Sequence, residues 1–552
     1  GYIGIVNSCI GAGVLKGIGL LTGRKKIVYG LAGTELAGIV AITVYAQTVS
    51  IFGKVFMAAH LILLAAAAAC AYWCRKELLV IWSRVKKICL SWEVKKICLS
   101  WEGVLYLIFA VMTAYFASRG LQHTDTGIYH AQAIRWYEEY GLVKGLGNLQ
   151  QHFAYNSAYL AYAAAFSMKW LVGQSLHGIN GFLQAFLCIW ALYGLKNFAR
   201  HKSHLADGCR VGILLYAIVV SERIMSPATD FGTMYLVFFI VTLWTSIACE
   251  KEGKVGEKTD LYALLCVAVV CVTTFKLSAG MLVILALYPA VCLIRSKEWK
   301  KIGIYLLCGC VVLAPWLVRN VLISGWLFYP FTFLDWFPVD WKISKGYADS
   351  DAKEIQAYAR EIYNVYQLDQ PLKQWLPNWF AAQAGFDKLL VLAGWAAIPV
   401  SAVLAVLGAA RAVRADRVTV ASRAGGAASV DNGTHTSKAD RVTVTLHAGS
   451  AVSERETGVP LPARRVAHLT PLCFSLLQLC AVVGFFFWQL GAPLVRYGYF
   501  YVLFLPLTVF GSLYCMAAEK LAGSEQGHNG RKWLKNAGYW AFVGLLVAFF
   551  TY

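Results

Sequence analysis

The densest run of chemistry-bearing side chains in this chain is HTDTGIYHAQAIRWYEEY, residues 123–140. A carboxylate flanked by imidazoles can take a proton from an attacking hydroxyl. Asp125 is therefore the candidate general base, with His123 and His130 beside it as catalytic partners. On a helix starting near Thr126, Tyr129 and Ala133 share a face, as do His130 and Ile134, while Gln132 and Arg135 fall one turn apart. Asp125 or Thr124 could equally be an ordinary N-cap, and capping and catalysis are compatible.

Further polar groups could serve a bound substrate. GLGNLQQHFAYNS, 145–157, is a glycine-bearing turn whose backbone amides could hold a phosphate near Asn148; it could also be a plain turn in which Asn148 caps the next helix. SPATD, 226–230, offers Asp230, which could face a shared cavity or could start the following helix at its positive dipole end. Three cations stand at the ends of apolar runs: Lys276 in TTFKLSAG, Arg319 in PWLVRNVLISG and Arg496 in PLVRYGYF. Snorkelling explains an isolated terminal cation, but together the three could grip a lipid-linked phosphate or pyrophosphate.

These residues sit in a chain built for a bilayer. Of 552 residues, 59% are hydrophobic and only 14% charged, too few to coat a soluble domain. Apolar runs such as GTMYLVFFIVTLWTSIAC, 231–248, and IGIYLLCGCVVLAPWL, 302–317, suit a hydrocarbon core about 30 Å thick. A soluble α/β enzyme is excluded, and the expected fold is an all-α polytopic membrane protein of about 13–14 transmembrane helices.

The net charge of +20 is concentrated in short basic stretches between apolar runs: Arg75 to Lys96, Lys196 to Lys202, and Arg295 to Lys301. That is the positive-inside pattern, and no aromatic-basic module accompanies it, so nucleic acid is not an expected partner. Sixteen cysteines include no CxxC pair and lie mostly within apolar runs, as packing residues would. The chain starts GYIG and stops at FFTY without a visible signal peptide, which reads as a fragment lacking residues at both ends.

Loop charge divides the chain into four parts. Residues 1–103 hold spans near 3–20, 31–52 and 56–73 and a basic cytoplasmic loop, in which VKKICLSWE occurs twice in tandem. Residues 104–410 hold further spans and two large extracytoplasmic loops, 120–177 and 319–385, with 128–140 and 150–172 expected as interfacial or partly inserted helices. Residues 411–468, rich in Ala, Gly, Arg, Ser and Thr, read as a disordered cytoplasmic insert, and 469–552 as the last spans.

In this arrangement the chain resembles the integral-membrane C-type glycosyltransferases, the group containing protein mannosyltransferases and the aminoarabinose transferase of lipid A. The resemblance covers roughly 104–516 and rests on HTDTGIYH, the SPATD hairpin, PWLVRNVLISGWLFYPF at 315–331 and RYGYF at 496–500. It extends to an uncharacterised bacterial branch of that group. The family's acidic motif is usually a pair or acid-x-acid, whereas here Asp125 stands alone, with Glu138 and Glu139 a helix length later.

The resemblance implies a single displacement from a polyprenyl-phosphate-linked sugar at the outer face of a bacterial cytoplasmic membrane, onto a cell-envelope glycan, lipid or protein acceptor. Asp125 would act as base, and Lys276, Arg319 or Arg496 would hold the leaving phosphate, with Tyr129, Arg135, Asn148 and Asp230 as further substrate contacts. No cofactor is assigned; a divalent metal on Asp125 and Asp230 is conceivable, but two separated carboxylates do not establish one. The alternatives are a cell-envelope glycan transporter, a polymerase-type membrane protein, or a partner-binding protein that has lost activity. A carrier should show paired broken segments in two related halves, and no such symmetry is visible.

Overall fold

The computed structural model describes residues 1–23, 30–90, 101–199, 205–249, 255–427 and 470–522. Among them there is no strand beyond an isolated bridge between Phe328 and Phe331. Among the described residues eight helices are long and apolar enough to cross a membrane, or nine if Met57–Trp73 and Arg75–Ser83, bent by 84°, count as one span. The protein is an all-α, multi-pass membrane protein.

The other expected spans within the described residues also appear as helices. Among them are Trp101–Arg119, of 19 residues, and Ile179–Ala199, of 21. The span expected at 535–552 lies outside the described residues, as do most of the second VKKICLSWE copy and residues 428–468 of the expected insert. The start of that insert differs from the expectation: helix Gly385–Ala427 runs on through it. The Ala and Arg residues of RAVRADRVTVASRA are strong helix formers that extend a helix already nucleated in the apolar run.

Small residues set the spacing of the N-terminal helices. Helices Tyr2–Leu21 and Leu31–Phe52 meet at Gly11 and Gly38. A Cβ at Gly11 would lie 1.9 Å from the Thr34 carbonyl oxygen, and one at Gly38 would lie 2.1 Å from that of Asn7. Helices in lipid gain their association from such close packing, because lipid tails are as apolar as the side chains. Helix Thr229–Cys249 is the most enclosed of the eight spans and runs through the centre of the bundle.

The long connection after helix Trp101–Arg119 carries the chemistry. It contains a π-turn, Thr126–His130, leading into helix Ala131–Glu139, then the turn at 145–149 and the helix Ala158–Ala165. Every residue of Ala158–Ala165 is buried. Eight residues rise only about 12 Å, so this helix enters the bundle without crossing it.

The second long connection begins at Gly325, whose φ of 78° ends helix Trp299–Ser324 in the left-handed conformation that glycine adopts freely. The two connections pack on each other. Leu146, Phe153, Ala154, Ile323, Trp326, Tyr329, Ile343 and Ala348 form a small hydrophobic core of their own.

Candidate functional site

The positions of the site residues follow from local packing. After Arg119 the chain lies directly on the 221–228 hairpin. A Cβ at Gly120 would come within 2.5 Å of the Glu222 carbonyl oxygen, which accepts from the Leu121 amide at 2.5 Å. Thr126 and Ser226 share a short hydroxyl–hydroxyl bond. Asn180 holds the hairpin from beneath, donating to the carbonyls of Ser226 at 2.7 Å and Ala228 at 3.1 Å. Asp125 is thereby brought beside Asp230, which lies in the first turn of helix Thr229–Cys249.

The cations arrive from two other elements. Lys276 follows helix Val255–Phe275 in extended conformation, and the last carbonyl of that helix, on Phe275, accepts from the Ser157 hydroxyl at 2.7 Å. Arg496 opens helix Val495–Ala522. Gly498 lets the Trp488 ring pack against this turn, because a Cβ there would be 2.2 Å from the ring, and Trp488 Nε1 donates to the Leu494 carbonyl at 2.8 Å.

Arg496 is the centre of the network. Its Nη2 is 3.1 Å from Asp125 Oδ2, its Nε is 3.2 Å from Asp230 Oδ2, and its Nη1 is 2.5 Å from His123 Nε2. Lys276 Nζ donates to Asp230 Oδ1 and sits 3.1 Å from the centre of the Tyr497 ring. His123 Nδ1 is 3.5 Å from Asp125 Oδ2. Arg496 faces Nε2 and the Asp125 amide faces Nδ1 at 3.2 Å, so a neutral imidazole, with one acceptor nitrogen, can accept from only one of the two donors. Burial, reinforced by the charge of Arg496, holds His123 below the ordinary histidine value against the opposing pull of Asp125 and Asp230.

His130 extends this site. Its ring is 6.4 Å from that of His123 and 4.1 Å from that of Tyr129, and both of its nitrogens are buried without a hydrogen-bond partner. Burial pushes its pKa down to about 4 despite Asp230 and Asp125 nearby. It is a neutral imidazole with both polar positions open.

The structure thus brings together His123, Asp125, Asp230, Lys276 and Arg496, with Tyr129 and His130 adjoining. Asp125 makes no capping hydrogen bond, so the N-cap reading of this residue does not hold. The remaining candidates are placed elsewhere. Arg135 is exposed and pairs with Glu139 at 3.0 Å. Asn148 Nδ2 donates to the Trp341 carbonyl at 2.7 Å, tying the two long connections together. The turn around it spends its amides on protein carbonyls: those of Gly145 and Asn148 donate at 2.9 Å to Leu322 and Gly145 respectively. Arg319 is buried in a different network, donating to Ser50 Oγ at 2.6 Å and Asn156 Oδ1 at 3.1 Å, 4.2 Å from the centre of the Tyr137 ring.

Residues 1–429 match the family described as Domain of unknown function (DUF8201). The chain belongs to that family. The matched region carries His123, Asp125, His130, Asp230 and Lys276, while Arg496 and Tyr497 lie beyond it. No curated protein and no solved structure matches the chain significantly.

Sequence reasoning passed over Tyr497, although RYGYF places it next to Arg496 and its ring lies under Lys276. It also passed over Phe231, whose ring meets that of His123 edge-on at 6.0 Å. As for a metal, the two carboxylates that could share one already hold the Arg496 guanidinium between them. Among the described residues no group of three or more His, Cys, Asp or Glu is arranged to hold an ion.

Proposed function

We propose that this protein is a membrane glycosyltransferase that moves a sugar from a polyprenyl-phosphate-linked donor to a cell-envelope acceptor, at the outer face of a bacterial cytoplasmic membrane. The observation that carries this reading is the meeting of Asp125 with Arg496, Asp230 and Lys276, residues from four separate elements, at the end of the bundle. A buried charge is expensive, and four charges gathered beside a neutral, unpartnered imidazole mark a site where charge is handled.

In this reaction the acceptor hydroxyl oxygen attacks the anomeric carbon, and the bond from that carbon to the phosphate oxygen breaks, leaving its electron pair on the phosphate. Asp125 receives the hydroxyl proton, with His123 holding the carboxylate in place. Arg496 has five N–H donors and Lys276 three, so after Asp125, Asp230, His123 and the Tyr497 hydroxyl are served each still has at least one donor for a phosphate. Positioning and charge stabilisation supply the catalysis, and no covalent intermediate is required.

The test is radiolabelled sugar transfer by the purified full chain from a polyprenyl-phosphate sugar. Asp125→Asn should lower transfer about a hundredfold or more while binding of polyprenyl phosphate persists. Transfer at the wild-type rate by this variant would remove Asp125 as base. If the wild-type protein neither binds nor consumes any such donor, the transporter reading takes the place of this one.

A further inference from the structure

A second polar feature adjoins the charged cluster and has no role in the displacement just described. From His130 a ribbon of rings continues through Tyr129 to His152, stacked on Tyr129 at 5.1 Å, then to Tyr155 at 5.4 Å and Tyr329 at a further 6.1 Å. At its far end lies Asp351, on helix Lys345–Ala359, with only 3% of its surface exposed. Its Oδ1 accepts from Tyr155 at 3.0 Å and from Gln151 at 3.2 Å.

The ribbon is under-satisfied at its two histidines. Both nitrogens of His130 and Nδ1 of His152 are buried without a hydrogen-bond partner, whereas the Tyr329 hydroxyl and the Asp351 carboxylate face each other. A buried polar group is costly if it stays unpaired, and native proteins carry few of them. Tyr129, His152 and Tyr155 are half-buried, so these three rings keep part of their surface available to a ligand. Ring faces alternating with hydrogen-bonding atoms suit a ligand that alternates C–H faces with hydroxyls.

We propose that Tyr129, His130, His152, Tyr155, Tyr329 and Asp351 form a carbohydrate subsite, in which a sugar of the acceptor lies along the rings. Asp351 and the imidazoles bind its hydroxyls, and its reactive hydroxyl points towards Asp125. The subsite rests on the transferase reading for its purpose, but not for its existence. It joins one ring-bearing segment, 129–155, to the second long connection, which explains why Gln151 bonds both Asp351 and the Tyr347 hydroxyl.

Binding of a panel of soluble envelope-type oligosaccharides to the full-length protein in nanodiscs, without any donor lipid, tests the proposal. At least one oligosaccharide should bind, and Asp351→Asn and His152→Ala should each weaken that binding about tenfold, equivalent to about 1.4 kcal/mol. Polyprenyl-phosphate affinity should be unchanged in both variants. His152 is partly exposed, so its variant keeps the test alive even if Asp351→Asn fails to fold. Absence of oligosaccharide binding, or binding that both variants leave intact, overturns the subsite, as does loss of polyprenyl-phosphate binding in parallel. Oligosaccharide binding without any sugar transfer upholds the subsite and counts against the transferase reading alone.

Discussion

Arg319 and Arg496 look alike in sequence, each a lone cation at the end of an apolar run, yet they occupy opposite kinds of site. Arg319 is 3% exposed and surrounded by neutral groups: Ser50, Asn156 and the face of Tyr137. The same Asn156 donates to Asn320 at 2.7 Å, and its carbonyl accepts from Trp316 at 2.9 Å. Arg319 is thus a buried cation held by hydrogen bonds, a rivet between helix Leu31–Phe52, the first long connection and helix Trp299–Ser324. Arg496 lies between two carboxylates, with 18% of its side chain exposed and an unpartnered imidazole close by. A closed knot of satisfied groups stabilises a fold, whereas an open knot with spare donors can bind something.

The comparison makes its largest prediction for stability. Arg319→Ala leaves Ser50 and Asn156 without their donor and opens a cavity over Tyr137, which should cost about 3–5 kcal/mol. Arg496→Ala should cost at most about 1–2 kcal/mol, because Asp230 keeps Lys276 and Asp125 remains partly solvated beside His123. Thermal unfolding of the two variants in the same detergent measures the gap. Equal losses would mean that Arg496 is a rivet too.

Acid should separate the two regions next. The pKa of His130 falls from the ordinary 6.5 to about 4 because burial disfavours its charged form. A folded value below the unfolded one means that this contribution is intact above about pH 6.5 and is lost as pH falls towards 4, by up to about 3 kcal/mol. His123 shifts in the same direction and adds to the loss. Asp351 acts with the opposite sign: burial raises its carboxyl, so acidification relieves strain there. The groups bonded to Arg319 do not titrate in this window. Stability measured between pH 7 and pH 4.5 should therefore fall less steeply in His130→Gln than in wild type; parallel slopes would refute the assignment.

What the sequence made legible follows the same physics. Apolar run length located the helices expected near 3–20, 31–52 and 56–73, observed as Tyr2–Leu21, Leu31–Phe52 and Met57–Trp73. The cost of charge near lipid singled out Asp125, Asp230, Lys276 and Arg496. It could not separate Arg319 from them, because the difference lies in which neighbours arrive from distant segments. Asp351 was hidden for the converse reason. It stands in KGYADSDAKEIQAYA among other acids on a polar helix, and only the packing of one long connection on the other buries it.

The smallest effect concerns the turn at 145–149, where sequence allowed either a phosphate cradle or a plain turn. Asn148 donates to Trp341 at 2.7 Å and to the Gly145 carbonyl at 3.3 Å, so its amide group works as a tie between the two long connections. Asn148→Ala should cost about 1 kcal/mol, the usual net worth of a partly exposed hydrogen bond. The loss should be local, since Leu146 and Phe153 still anchor the turn in the small core that both connections share. Hydrogen exchange should quicken at 145–149 and around Trp341, while the spans and the Arg319 knot stay protected. Polyprenyl-phosphate affinity should not change, because the amides of Gly145 and Asn148 are already bonded to protein carbonyls. A fold-intact Asn148→Ala protein that no longer bound polyprenyl phosphate would move the phosphate site from Arg496 and Lys276 to this turn.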